Sequence, residues 1–137
     1  MAGIVLAWLL PPEWPESVRL PLRVVGLLLL VIGIGVVLWA HRSLGRAFTA
    51  FTRPPRDAER VEGGPYRLVR HPMYGGGILA FVGLSLLTNV TALALTAALA
   101  LLWRCKSAVE ERALIARFPE YEAYRSRTPR RFWPGVY

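Results

Sequence analysis

Charge is missing from two stretches of this sequence, and those absences set its class. No Asp, Glu, Lys or Arg occurs between Val24 and Ala40, and none between Pro72 and Trp103. Acidic residues are few, 9 against 17 basic ones, for a formal charge of +8. Cysteine is nearly absent. The single Cys105 excludes an internal disulfide. Histidine is scarce too. His41 and His71 are the only two, and no zinc-type ligand spacing exists, so no metal site is expected. No basic run precedes the apolar residues 2–10, and Pro11 and Pro12 interrupt them, so they do not read as a signal peptide.

What is present is apolar. Hydrophobic residues make up 54% of 137 positions, far more than a soluble core of one domain requires. A helix needs about 20 apolar residues to cross the hydrocarbon layer. The second charge-free window is 32 residues long, roughly 48 Å of helix at about 1.5 Å per residue, too long for one ordinary span. Thr88-Asn89-Val90-Thr91 is the expected break, giving helices over about 72–87 and 90–106. The charges agree. Arg67, Arg70 and His71 precede this hairpin, Arg104 and Lys106 follow it, and both basic ends share one side only if the chain turns back. Only Arg19 and Arg23 among the basic residues precede His41, so the charge flanks the apolar windows. This is the positive-inside pattern of a membrane protein, and no nucleic-acid partner is expected.

The expected fold is all-α, a single membrane-embedded domain over residues 1–137. It is a polytopic bundle of three to four membrane helices with a C-terminal interfacial helix on the cytoplasmic side. Residues 2–10 are a short first helix or re-entrant piece. The next helix covers about 22–42, and its Gly26, Gly33 and Ala40, seven residues apart, form a small-residue face for close helix packing. Residues 43–70 form a polar connection broken by Pro54-Pro55 and Gly63-Gly64-Pro65. Beyond Lys106 a cytoplasmic helix runs to about Arg117, and a second starts at Pro119.

The densest polar cluster, GGPYRLVRHPMYGGG (63–77), stands at the lip of the hairpin. Pro72 suits the first position of a helix, which places His71 near the N-cap and leaves the amides of Met73, Tyr74 and Gly75 without intrahelical partners. Such a helix start favours an anion. Arg67 and Arg70 add positive charge, Tyr66 and Tyr74 add rings, and Gly75 to Gly77 leave room for a flat group. Across the hairpin, Glu110 and Glu111 offer negative charge. A ligand carrying both a carboxylate and an ammonium would be held at both ends. Adjacent helical residues point about 100° apart, so one glutamate is expected inward and Glu111 is expected to be solvated.

GPYRLVRHPMYGGG, a short apolar hairpin, EER-x-L and FPEYEAYRSRTP together resemble the isoprenylcysteine carboxyl methyltransferase family, whose broader group includes membrane phospholipid methyltransferases. The resemblance covers about residues 42–129. It implies an integral membrane enzyme that uses S-adenosylmethionine, faces the cytoplasm and methylates a lipophilic acceptor. That acceptor is an isoprenoid carboxylate, a phospholipid headgroup or a small hydrophobic compound. By position it implies cofactor contacts from Tyr66, Arg70, His71, Pro72, Met73, Tyr74, Gly75 and Glu110, with His71 and Glu110 as catalytic residues. Lys106 stands where the eukaryotic enzymes carry a substrate-contacting arginine, and Lys106 and Arg104 are the expected substrate contacts. The competing expectations are a non-enzymatic lipid-binding or accessory subunit and, further off, a nicotinamide-dependent membrane reductase.

Overall fold

The computed structural model describes residues 13–45 and 63–134. Among the described residues there are four α-helices and no strand. They are α1 (Glu16–Leu44), α2 (Pro72–Thr88), α3 (Val90–Arg117) and α4 (Tyr121–Arg127), with a 3-10 turn at Gly64–Arg67 leading into α2. The expected first helix at residues 2–10 and most of the 43–70 connection lie outside the described residues.

The hairpin break falls where the charge-free window needs it. Asn89 is extended (φ −162°, ψ 170°), and its side chain accepts from the Ala92 amide at 3.0 Å, capping α3. α1 starts earlier than expected. Glu16 opens it, and Arg19 holds the first turns by pairing with Glu13 at 3.2 Å and Glu16 at 3.1 Å. α3 departs further from expectation. It is one continuous helix of 28 residues, not a membrane helix followed by a separate cytoplasmic one. No proline or glycine interrupts residues 90–117, so the backbone ladder runs through the change from apolar to charged sequence at Trp103.

α2 packs against both α1 and α3. The small-residue face of α1 is its seam with α2. A Cβ at Gly26 would come within 2.7 Å of the Gly83 carbonyl, and one at Gly33 within 2.6 Å of the Gly76 carbonyl, while Ala40 is fully buried. Trp14 Nε1 donates to the Ser85 carbonyl at 3.4 Å, and Gly64 (φ +57°) packs on Ser43 and Trp39. These contacts pin opposite ends of the antiparallel pair. Between α2 and α3, the Trp103 ring covers Gly77, and Ser85 Oγ meets Thr96 Oγ1 at 2.8 Å. Ser85 also donates to the Phe81 carbonyl at 2.7 Å, so the seam leaves neither hydroxyl unpaired.

α1 and α3 are each long and apolar enough to cross a membrane. In both, only 11% of the apolar window is buried inside the protein, whereas the core helix of a soluble domain would be mostly buried. Leu20, Leu28, Val31, Leu95, Leu101 and Leu102 all face outward. Apolar surface of this extent requires a non-aqueous partner, and the protein is membrane-associated. α2 is apolar but shorter, at 17 residues.

The α1–α2 seam predicts an asymmetric response to added volume. Gly33→Val places side-chain atoms against the α2 backbone and should destabilise the detergent-solubilised protein by about 1–3 kcal/mol. Gly35→Val, where a Cβ meets nothing within 4 Å, should stay within about 0.5 kcal/mol of wild type. Thermal unfolding of the two variants side by side checks this.

Candidate active site

His71 is the N-cap residue of α2 (φ −127°, ψ 61°), with Pro72 at the first helical position. Its side chain makes no capping bond. The first bond of the helix is instead Gly75 N–H to the His71 carbonyl at 3.1 Å. The amides of Met73 and Tyr74 precede the point where the helix ladder begins. The imidazole is therefore available to α3, which returns beside it.

Glu110 and Glu111 both reach the RHPMY segment, against the expectation that only one would. The carboxylate of Glu111 is buried, the residue being 4% exposed, so the solvated role expected for it is overturned. Its Oε1 accepts from Arg70 Nε at 2.8 Å and lies 3.0 Å from His71 Nε2, and its Oε2 accepts from Arg131 Nη2 at 3.1 Å. Glu110 is more open. Its Oε1 accepts from the Tyr74 hydroxyl at 2.8 Å and lies 3.7 Å from Lys106 Nζ, and its Oε2 lies 3.8 Å from His71 Nδ1. The 100° between neighbouring helical positions is real, but the segment from Arg70 to Tyr74 runs across α3 and presents a partner at each angle. The imidazole stands between the two carboxylates.

Arg70, expected at the cofactor, is committed to the protein. Besides Glu111, its Nη1 donates to the carbonyls of Thr128 at 2.8 Å and Pro129 at 2.5 Å. The chain after α4 lies along this segment. The amides of Arg70 and His71 donate to the carbonyls of Arg130 and Arg131 at 3.0 and 2.8 Å, and Trp133 Nε1 donates to the Gly75 carbonyl at 3.3 Å. Phe132 stands edge-on to the His71 ring, 6.2 Å between centroids. The room expected above the glycine run is thereby filled. Gly75 packs against Phe132 and Trp133, Gly76 against Gly33 and Val36, and Gly77 against Trp103. The sequence places this tail as an interfacial segment over the mouth of the bundle, but not its pairing with Arg70 and His71 as a wall of the site. The arginines interleaved with aromatics in RRFW were the only signal, and they read equally well as a membrane-surface segment.

Rings form a column at the mouth of the hairpin. His71 stacks on Tyr74 (5.7 Å, 12°), Tyr74 on Trp103 (5.5 Å, 22°), and Phe81 lies 6.0 Å from Trp103. Lys106 Nζ sits 5.6 Å from the centre of the Tyr74 ring. Met73 is half-buried, Pro72 is fully buried and Arg104 is exposed. Tyr66 lies in the 3-10 turn, buried, with its carbonyl accepting from the Tyr124 hydroxyl at 2.7 Å. Among the described residues no three His, Cys, Asp or Glu gather to hold a metal ion.

Burial pushes the phenols of Tyr66 and Tyr121 up to about 12. In the unfolded chain both would ionise near 10. Across that window the unfolded state binds fewer protons than the folded one, so stability should be intact below pH 10, fall between pH 10 and 12, and level off above. Thermal unfolding followed against pH should show this decline, and Tyr66→Phe should reduce it.

The hairpin and the cluster at its mouth have counterparts elsewhere. A family model described as phospholipid methyltransferase matches residues 22–120, from α1 through both glutamates. The cobalt-zinc-cadmium resistance protein CzcN of Cupriavidus metallidurans is 36% identical over 111 residues, which are 78% of this chain and 50% of that protein. The nickel-cobalt-cadmium resistance protein NccN of Alcaligenes xylosoxydans xylosoxydans is 33% identical over 109 residues, 77% of this chain and 51% of that protein. The chain thus spans about half the length of these curated relatives. Because the matched region includes RHPMY, the glutamate pair and the helices that bring them together, the chain belongs to the phospholipid methyltransferase family, within the isoprenylcysteine and phospholipid methyltransferase group.

Proposed function

We propose that this protein transfers a methyl group from S-adenosylmethionine to a lipophilic acceptor at the membrane surface where α2 begins. One observation carries the reading. The partly open carboxylate of Glu110 is ringed by Tyr74, Lys106 and His71 at the mouth of an apolar hairpin. The donor set fits the cofactor. Glu110 suits its ammonium and sulfonium, and the amides of Met73 and Tyr74 at the helix start suit its carboxylate. Pro72 and Gly75 set the floor, while Arg70 and Tyr66 act from behind by holding the segment in place.

When bound, the cofactor supplies a methyl group already activated on a sulfonium. The protein's task is then to align the acceptor and exclude water. A carboxylate acceptor needs no base. An amine acceptor must release a proton, and His71 and Glu110 are the nearest groups to take it. The ring column from His71 to Phe81, which is 41% exposed on the apolar face, offers a lipophilic acceptor a route from the bilayer. Lys106 and Arg104 would meet an anionic headgroup.

In this reading α1, α2 and α3 are three spans, with α2 tilted or the bilayer thinned around its 17 residues. The end bearing Arg42, Arg70, Arg104 and Lys106 faces the cytoplasm, and α4 with the tail lies at that interface. The relatives' names concern metal resistance. A contribution of that kind would run through methylation of a membrane component.

Calorimetry on the purified protein should show S-adenosylhomocysteine binding. Glu110→Gln should weaken it about tenfold or more, equivalent to the roughly 1.5–3 kcal/mol of a charge-assisted hydrogen bond. His71→Ala should lower transfer of labelled methyl into lipid extracts. Absence of binding to wild type would sink methyl transfer and favour a lipid-binding accessory role. For sidedness, cysteines placed at Asn89 and Ser126 in a Cys105→Ser background should label from opposite faces. Labelling from one face would overturn the topology.

A further inference from the structure

We infer that Glu111 is a positioning residue that holds His71 in one tautomer, so that His71 Nδ1 and Glu110 Oε2 together form a seat for a primary ammonium group. The ligand's identity rests on the methyl-transfer reading above; the seat rests on geometry. Glu111 accepts from the guanidinium of Arg70 at 2.8 Å and that of Arg131 at 3.1 Å. A carboxylate held by two guanidiniums is ionised and has no proton to give. His71 Nε2, 3.0 Å from the same Oε1, must then be the donor. A neutral ring protonated at Nε2 carries its lone pair at Nδ1.

Arg70 on its own segment, Lys106 on α3 and Arg131 on the tail bring three positive charges, against Glu110 and Glu111. Tyr74 stacks on one side of the ring, and Phe132 stands edge-on. The imidazole is thus fixed in orientation. Its Nδ1 lies 3.8 Å from Glu110 Oε2, the oxygen left over once Tyr74 and Lys106 have taken Oε1. Two facing acceptors repel unless a cation with more than one N–H lies against both. A primary ammonium can donate to each. A single hydroxyl cannot, and a quaternary ammonium has no N–H at all. Glu111 never touches the ligand in this scheme; it acts through His71.

Two sources could supply the ammonium, the amino-acid end of the cofactor or an amine headgroup. Nitrogen-15 spectra of histidine-labelled protein in detergent, with the His41 signals assigned through His41→Gln, should show His71 protonated at Nε2 and bare at Nδ1 near neutral pH. The opposite tautomer or an imidazolium in wild type overturns the inference, whatever becomes of any variant. In calorimetry, Glu111→Gln should weaken S-adenosylhomocysteine at least tenfold and leave 5′-methylthioadenosine, which lacks the ammonium, within about twofold. That result assigns the seat to the cofactor. An effect confined to phosphoethanolamine, with phosphocholine unaffected, assigns it to the acceptor. Equal loss for every ligand means Glu111 is only structural and overturns the proposal, as does no loss for any. Wild type that shows the stated tautomer but binds neither adenosyl ligand rejects the methyl-transfer reading and leaves the tautomer assignment standing.

Discussion

The buried carboxylate of Glu111 is the interaction on which the rest of the site depends. A buried charge without partners is strongly unfavourable, and breaking a buried pair by removing one member costs about 3–5 kcal/mol. Here the carboxylate and its partners come from three separate parts of the chain. Arg70 and His71 precede α2, Glu111 lies on α3, and Arg131 follows α4. Satisfying one carboxylate therefore fixes the depth of α3 against α2 and draws the tail across the lip. Arg70 completes the join, since its remaining donors go to tail carbonyls. The outcome is a polar knot at the end of a bundle whose body contains almost nothing polar.

That body is held by different means. If the helices span the membrane as proposed, apolar burial offers little drive between them, and association relies on close packing and on hydrogen bonds between the helices. α1 meets α2 through glycines that let the backbones approach, and α2 meets α3 through Trp103 on Gly77 and the Ser85–Thr96 hydroxyl pair. α2 is thus fixed along its length by two seams and at its start by the Glu111 knot. A helix so constrained presents its first turn, with His71 and Tyr74, in a set position toward α3.

The glutamate pair divides its work by depth. Glu111 is enclosed and saturated by cations, so it serves the architecture. Glu110, one residue earlier, is less enclosed, and its Oε2 faces His71 Nδ1 across 3.8 Å. Family membership supports methyl transfer for such a site.

Much of this was legible in the residues alone. Two charge-free windows, Asn89 midway through the longer one and basic residues at both its ends already require a hairpin, because hydrocarbon excludes charge and a 32-residue window exceeds one span. The hairpin in turn brings RHPMY to the glutamates. The seven-residue spacing of Gly26, Gly33 and Ala40 marks the seam, since small residues are what close packing needs. Other features were decided only in three dimensions. Helical periodicity states the angle between Glu110 and Glu111, but not the path of the segment that crosses them, so which one is buried could not be read. The partners of Arg70 lie 41 to 59 residues away. No local pattern distinguishes an arginine that meets a carboxylate and two carbonyls from one that meets a ligand or a lipid phosphate. The glycine run reads as open space in sequence, yet a missing side chain states only that something comes close, and here it is the protein's own tail, Trp103 and α1 that do so.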